Sequence, residues 1–190
     1  MKNNKMGKTE LTRQVIMEVA RELLIEKGYT NVSMRLIANE INCSHGAIYY
    51  YFKNKAELFY ALVEEHFLML DQKMTEVIVD SCDRKEKLRR LLLGFIEFGL
   101  TNQGHYEIMF LIKDEEVLHF LNKSPSKTYE KFANYVAELS DRQLTIKEIW
   151  SIFLSLHGFV THYLRHIVSF SEVEDMANSH VAMLLKWTEN

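Results

Sequence analysis

A single proline and seven glycines in 190 residues leave few places for tight reversals. That scarcity excludes a turn-rich β architecture and favours long helices. The two cysteines, Cys43 and Cys82, stand far apart in unlike contexts, which argues against a disulfide framework and fits a reducing compartment. No apolar run reaches the ~18 residues of a membrane span, and the stretch MKNNKMGKTELTRQ lacks the apolar segment of a secretory signal. A cytoplasmic protein without membrane contact is expected. Ser/His/Asp order, cysteine-based motifs, glycine-rich phosphate loops and metal-peptidase motifs are all missing, as are internal repeats. The expectation is therefore no enzyme and no cofactor.

What is present is apolar content of 47%, enough to build a core for one domain or two small ones. The net charge of -3 hides an asymmetry. Residues 1–55 carry nine Lys/Arg against five Asp/Glu, a surplus of +4, whereas the remainder carries fourteen against twenty-one. A basic N-terminal part on an acidic body points to a polyanionic partner for the first fifty residues.

Helical periodicity runs through the chain. Over 9–27, Leu11, Val15, Val19, Leu23 and Leu24 share a stripe flanked by Ile16, Ala20 and Lys27, and Gly28 supplies a stop. Ser33 is a cap for a short helix over 34–41, and Asn42 tolerates the left-handed turn that follows. Ser44 caps a third helix over 45–51, and Asn54 a fourth over 55–79. Three short helices with a tight turn between the second and third form a helix-turn-helix. Further helices are predicted over 83–100, 106–121, 125–139, 145–167 and 171–187, giving an all-α fold.

The stretch CSHGAIYYYFKNKAELF, residues 43–59, places four aromatics in a row from Tyr49 to Phe52. Spacing sends Ile48, Tyr51 and Phe52 inward and leaves Tyr49 and Tyr50 outward. Ser44, Gly46 and Ala47 are small enough for close approach to base edges in a major groove, and His45 can bond a base or phosphate. Phosphate anchors are expected from Ser33 at a helix start, from Arg35 and Lys55, and from Thr12 and Arg13. Lys2, Lys5 and Lys8 would add backbone contacts.

Residues 9–59 resemble the N-terminal domain of TetR-type (TetR/AcrR) transcriptional regulators. The matching pieces run in order: a helix, Gly-Tyr, Ser-x-x-x-Ile-Ala, a turn, Ser-x-Gly-x-Ile-Tyr-x-Tyr-Phe, then Lys-x-Lys-x-x-Leu. Asn42 departs from the family's usual glycine. HYEIMFL at 105–111 and Trp150 with His157-Gly158 resemble a C-terminal subgroup named for its Trp-His-Gly pattern. The resemblance implies a helix-turn-helix domain over 1–54, joined through the long fourth helix to a helical ligand-binding and dimerisation domain over 55–190.

It further implies a cavity for a small effector, lined by Phe95, Phe98, Tyr106, Met109, Phe110, Phe132, Tyr135, Trp150, Phe153, His157 and Tyr163. The aromatic set, without a buried-looking Arg/Asp pair, suits an apolar or aromatic molecule. The helix over 146–167 is apolar nearly all round and must be covered on two sides. A homodimer follows, through Ile152, Phe159, Val173, Ala177, Val181, Leu184 and Leu185. Two recognition helices would then sit about one DNA turn apart, roughly 34–36 Å.

The leading expectation is a dimeric repressor that binds palindromic operator DNA and is released by an effector. The alternative is a helical small-molecule carrier without operator binding. An enzyme using His105, His157 or His162 as a base lacks a nucleophile, and the His162/His166 pair lacks a third metal ligand.

Overall fold

Capping chemistry defines the ends of the first helices in this computed structural model, which describes residues 10–112 and 124–189. Helix α1 spans Arg13–Lys27, with the Thr12 hydroxyl accepting from the Val15 N–H. It stops at Gly28, whose φ of 75° is open to glycine and whose N–H donates to the Leu24 carbonyl at 2.9 Å. A 3-10 turn over Tyr29–Asn31 leads to α2, Met34–Ile41, and then α3, His45–Tyr51. Ser33 and Ser44 cap them by accepting from Leu36 and Ala47, each at 3.2 Å. Asn42 takes the left-handed conformation (φ 60°, ψ 41°) that the turn demands.

Helix α4, Lys55–Val79, is started by a reciprocal cap. The Asn54 side chain accepts from the Glu57 N–H, and the Glu57 carboxylate accepts from the Lys53 N–H. The first two turns of α4 bury Ala56, Leu58, Phe59, Ala61 and Leu62, with Phe59 edge-on to Tyr29. The chain divides into two compact units within α4, between Leu62 and Val63, eight residues beyond the boundary expected at 54. In the first unit α1 buries Ile16, Met17, Ala20, Leu23 and Leu24. The predicted stripe is rotated: Val15 and Val19 are only half-buried, because the apolar arc of α1 is wide enough to seat on its Ile16 side.

The second unit is organised around α5, Arg84–Thr101, capped by Asp83. It packs against α6 (Gln103–Phe110), α7 (Ser124–Leu139), α8 (Ile146–Tyr163) and α9 (Glu174–Leu185). A Cβ at Gly99 would lie 2.6 Å from Val160 and 2.9 Å from the Tyr106 ring, so a glycine lets α5 and α8 meet. A full capping box of Thr145 and Glu148 opens α8. Arg142 and Thr145 hold the Glu148 carboxyl well down, at about 2.

The helix predicted to run to 167 ends at Tyr163. Arg165 turns left-handed (φ 62°); its N–H donates to Gln103 and its guanidinium grips Glu107 at 2.6 Å. These tertiary bonds replace the last turn of helix. The final predicted helix likewise begins late, because Ser169 and Glu172 cap a separate 3-10 turn over Phe170–Glu172. The helix expected over 106–121 is seen over Gln103–Phe110, and 113–123 lie outside the described residues. Among the described residues there is no strand and no helix long and apolar enough to cross a membrane.

Candidate nucleic-acid interface and sensor region

Helix α3 splits its aromatics between two faces. Ile48 and Phe52 are buried, and the Tyr51 hydroxyl donates to the Leu11 carbonyl at 2.6 Å, which ties α3 to the entry of α1. Tyr49 and Tyr50 point outward, 43% and 85% exposed. Tyr49 is steadied edge-on by His45 at 4.9 Å, and Tyr50 by Tyr51 at 5.2 Å. Ser44, His45 and Gly46 are exposed and Ala47 is half-buried, so one end of α3 offers a low-relief surface flanked by two hydroxyl-bearing rings. Tyr51 was expected only to pack; its hydroxyl bond spans 40 residues of sequence and has no local signal.

Around α3, Thr12, Arg13, Ser33 and Arg35 are all exposed. Thr12 and Ser33 already cap helices, and Arg13 lies over the Phe52 ring at 4.8 Å. Lys55 is half-buried, 3.7 Å above the Tyr29 ring, and donates to the Tyr29 carbonyl. It is thus held in place rather than extended into solvent. Lys2, Lys5 and Lys8 lie outside the described residues.

In the second unit, Phe95, Tyr106, Phe110, Phe132, Phe153 and His157 form one ring cluster with centroids 4.6–6.3 Å apart. Trp150 stacks on Phe153 at the edge and is 44% exposed. Met109 is buried, Tyr135 is half-buried on α7, and Tyr163 meets Phe159 and His162 instead. Burial lowers the His157 pKa and raises that of Tyr106. With the imidazole neutral and the phenol protonated, the Tyr106 hydroxyl donates to His157 Nδ1 across 2.6 Å. The rings fill their own space, leaving a void of only about 20 Å³.

The larger cavity, about 460 Å³, is a groove between α4 and α5. Leu70, Met74, Phe95 and Phe98 form its apolar floor, and Lys73, Glu76, Asp80, Arg90 and Glu97 its rim. Of the predicted effector contacts it contains Phe95 and Phe98. Its other residues went unnoticed in the sequence, where Gly94, an isolated glycine inside a helical pattern, was the available signal.

Comparison with known proteins locates the first unit. Residues 16–62 match the family model described as bacterial regulatory proteins, tetR family. Those residues, α1 to the start of α4, are similar to that family's N-terminal helix-turn-helix. An HTH-type transcriptional regulator of Staphylococcus aureus (strain USA300) is 29% identical over 133 residues, 63% of this chain and 72% of the relative. The HTH-type regulator YhgD of Bacillus subtilis (strain 168) is 33% identical over 91 residues, 48% of each chain. Among solved structures, the transcriptional regulator FadR of Bacillus subtilis, in complex with stearoyl-CoA, superposes with a TM-score of 0.76. That match covers 92% of this chain and 98% of FadR at 20% identity, a likeness of fold. The chain is thus all-helical and similar to HTH-type transcriptional regulators, with its tetR-family match confined to residues 16–62.

The predicted dimer contacts need correction against this frame. Ile152, Ala177, Val181 and Leu184 are 0–1% exposed inside the chain's own core, and Val173 and Leu185 are also buried. A twelve-residue α9 spends that face on α5. Phe159 alone of the set is half-exposed. The face turned outward carries Leu154 and Gly158 of α8 with Met176, Met183 and Trp187 near α9. Between the two helices the Ser155 hydroxyl meets His180 at 3.1 Å.

Proposed function

We propose that the protein is a homodimeric repressor of the TetR type. It binds a palindromic operator through α3 and leaves it when an apolar effector occupies the second unit. The observation that carries this reading is the exposed pair Tyr49 and Tyr50 beside Ser44, His45 and Gly46 on a capped recognition helix. Tyrosine rings turned to solvent on a seven-residue helix gain nothing for folding, but they fit thymine methyls and phosphate oxygens.

Dimerisation is assigned to the outward face of α8 and α9, where Leu154, Met176, Met183 and Trp187 are 45–57% exposed. The alternative of a carrier without operator binding would leave the aromatic face of α3 without purpose. The effector is assigned to the α4–α5 groove and the aromatic cluster behind it, with Phe95 shared by both. An elongated apolar molecule suits such a groove, and the stearoyl chain held by the FadR structure supports it. Helix α4 is continuous from Lys55 to Val79 and belongs to both units. An effector that favours one position of α4 would change the spacing of the two recognition helices, with coupling typically 1–3 kcal/mol.

Footprinting of DNA upstream of the protein's own coding region tests the reading. Two protected half-sites related by a dyad and centred about one helical turn apart are expected. Protection of a single asymmetric site, or none, would contradict it.

A further inference from the structure

We propose that the α4–α5 groove is a binding site for a monocationic amphiphile, an apolar chain ending in one amine or quaternary ammonium. The inference rests on the effector reading above only for its consequence at the operator.

Two observations point to a ligand. The groove holds about 460 Å³ over a floor of Leu70, Met74, Phe95 and Phe98, each 5% exposed or less, a size typical of small-molecule sites. Gly94 lines it from the middle of α5. A Cβ there would meet nothing within 4 Å, so no neighbour requires the glycine, in contrast to Gly99 on the same helix. Glycine is a poor helix former, yet it occupies the interior of α5 where it lines the groove, and a side chain the size of leucine there would project into that open space.

The rim selects the head group. Asp80 is matched by Arg90 at 2.5 Å, and Arg90 also bonds Glu86 at 2.7 Å. Lys73 lies 3.7 Å from Glu76. Glu97, exposed and three residues along α5 from Gly94, has no hydrogen bond or ion pair among the described residues. The uncompensated charge beside the apolar floor is therefore a carboxylate. It attracts a cation carried on an apolar body and repels a phosphate-bearing head, which would also face Glu76 and Asp80.

Isothermal titration of the full chain with decyltrimethylammonium, decanoate and decyl glucoside, each below its micelle concentration, tests the assignment. The cation should bind once per chain, about fivefold to tenfold more tightly than decanoate. Glu97→Gln should weaken the cation about fivefold and leave decyl glucoside unchanged. Gly94→Leu should abolish binding of all three, while Gly94→Ala retains it; circular dichroism checks that the variants are folded. If Gly94→Leu binds like the parent, the groove is not the site. Decanoate binding as tightly as the cation, or a Glu97→Gln variant that spares it, overturns the charge assignment. Calorimetric binding that leaves an operator complex intact supports the groove and overturns the effector reading instead.

Discussion

Helix α3 and the α5–α8 region are both rich in rings, yet they spend them in opposite ways. In the second unit Phe95, Tyr106, Phe132 and their neighbours turn inward, and the fully buried phenol of Tyr106 finds His157. In α3, Tyr49 and Tyr50 stay outside while Ile48, Phe52 and the Tyr51 hydroxyl hold the helix to its domain. A ring that is buried and satisfied accounts for itself through folding. A ring left in water beside small residues and helix starts needs a partner to account for it.

The same contrast exists within α9, and breaking it gives the largest expected effect. Val181→Glu or Leu184→Glu buries an unpaired carboxylate in the core around α5, at a cost of several kcal/mol. Circular dichroism should show loss of the cooperative melt. Met183→Glu, on the 45% exposed neighbour, should melt like the parent but sediment as a monomer. A dimeric Met183→Glu would move the interface elsewhere.

Two glycines of α5 make a second pair. Gly99→Ala forces a Cβ to within 2.6 Å of Val160 and should cost about 1–3 kcal/mol of stability by chemical denaturation. Gly94→Ala meets no atom and should stabilise by about 0.5–1 kcal/mol. Equal effects at both sites would mean that the approach of α5 to α8 is looser than described.

Of comparable size is the loss of a cap. Ser33→Ala removes the acceptor for the Leu36 N–H and should cost about 1 kcal/mol. If Ser33 also holds a phosphate, operator affinity should fall by more than the lost stability explains.

The smallest effect is that of pH. Burial depresses the His157 pKa below its ordinary value, so the unfolded chain takes up a proton more readily there. Stability from the neutral imidazole is complete above about 6.5 and drains away as pH falls below it. The melting temperature of the parent should therefore drop more between pH 7.5 and 5.5 than that of His157→Gln. A parallel drop would place the protonating group elsewhere.

These tests also follow the limits of sequence reading. The caps Ser33, Ser44 and Asn54, the stop at Gly28 and the left-handed Asn42 were legible because each is local chemistry acting over one to four residues. So was the outward face of α3, fixed by spacing within seven residues. The dimer stripe was misplaced because periodicity identifies an apolar face without saying whether the chain or a partner covers it; α5 claims that face of α9. The end of α8 was missed because Gln103 and Glu107, some 60 residues away, hold Arg165. The groove was invisible because it depends on how α4 and α5 lie together, signalled only by Gly94.

The central claim is that α3 reads operator DNA with its exposed tyrosines. Fluorescence anisotropy of the footprinted duplex and of a scrambled duplex, titrated with parent and Tyr49→Ala protein, tests it most directly. The account predicts a loss of about 1–3 kcal/mol on the operator with little change on the scrambled duplex. Equal affinity of parent and variant for the operator would contradict it.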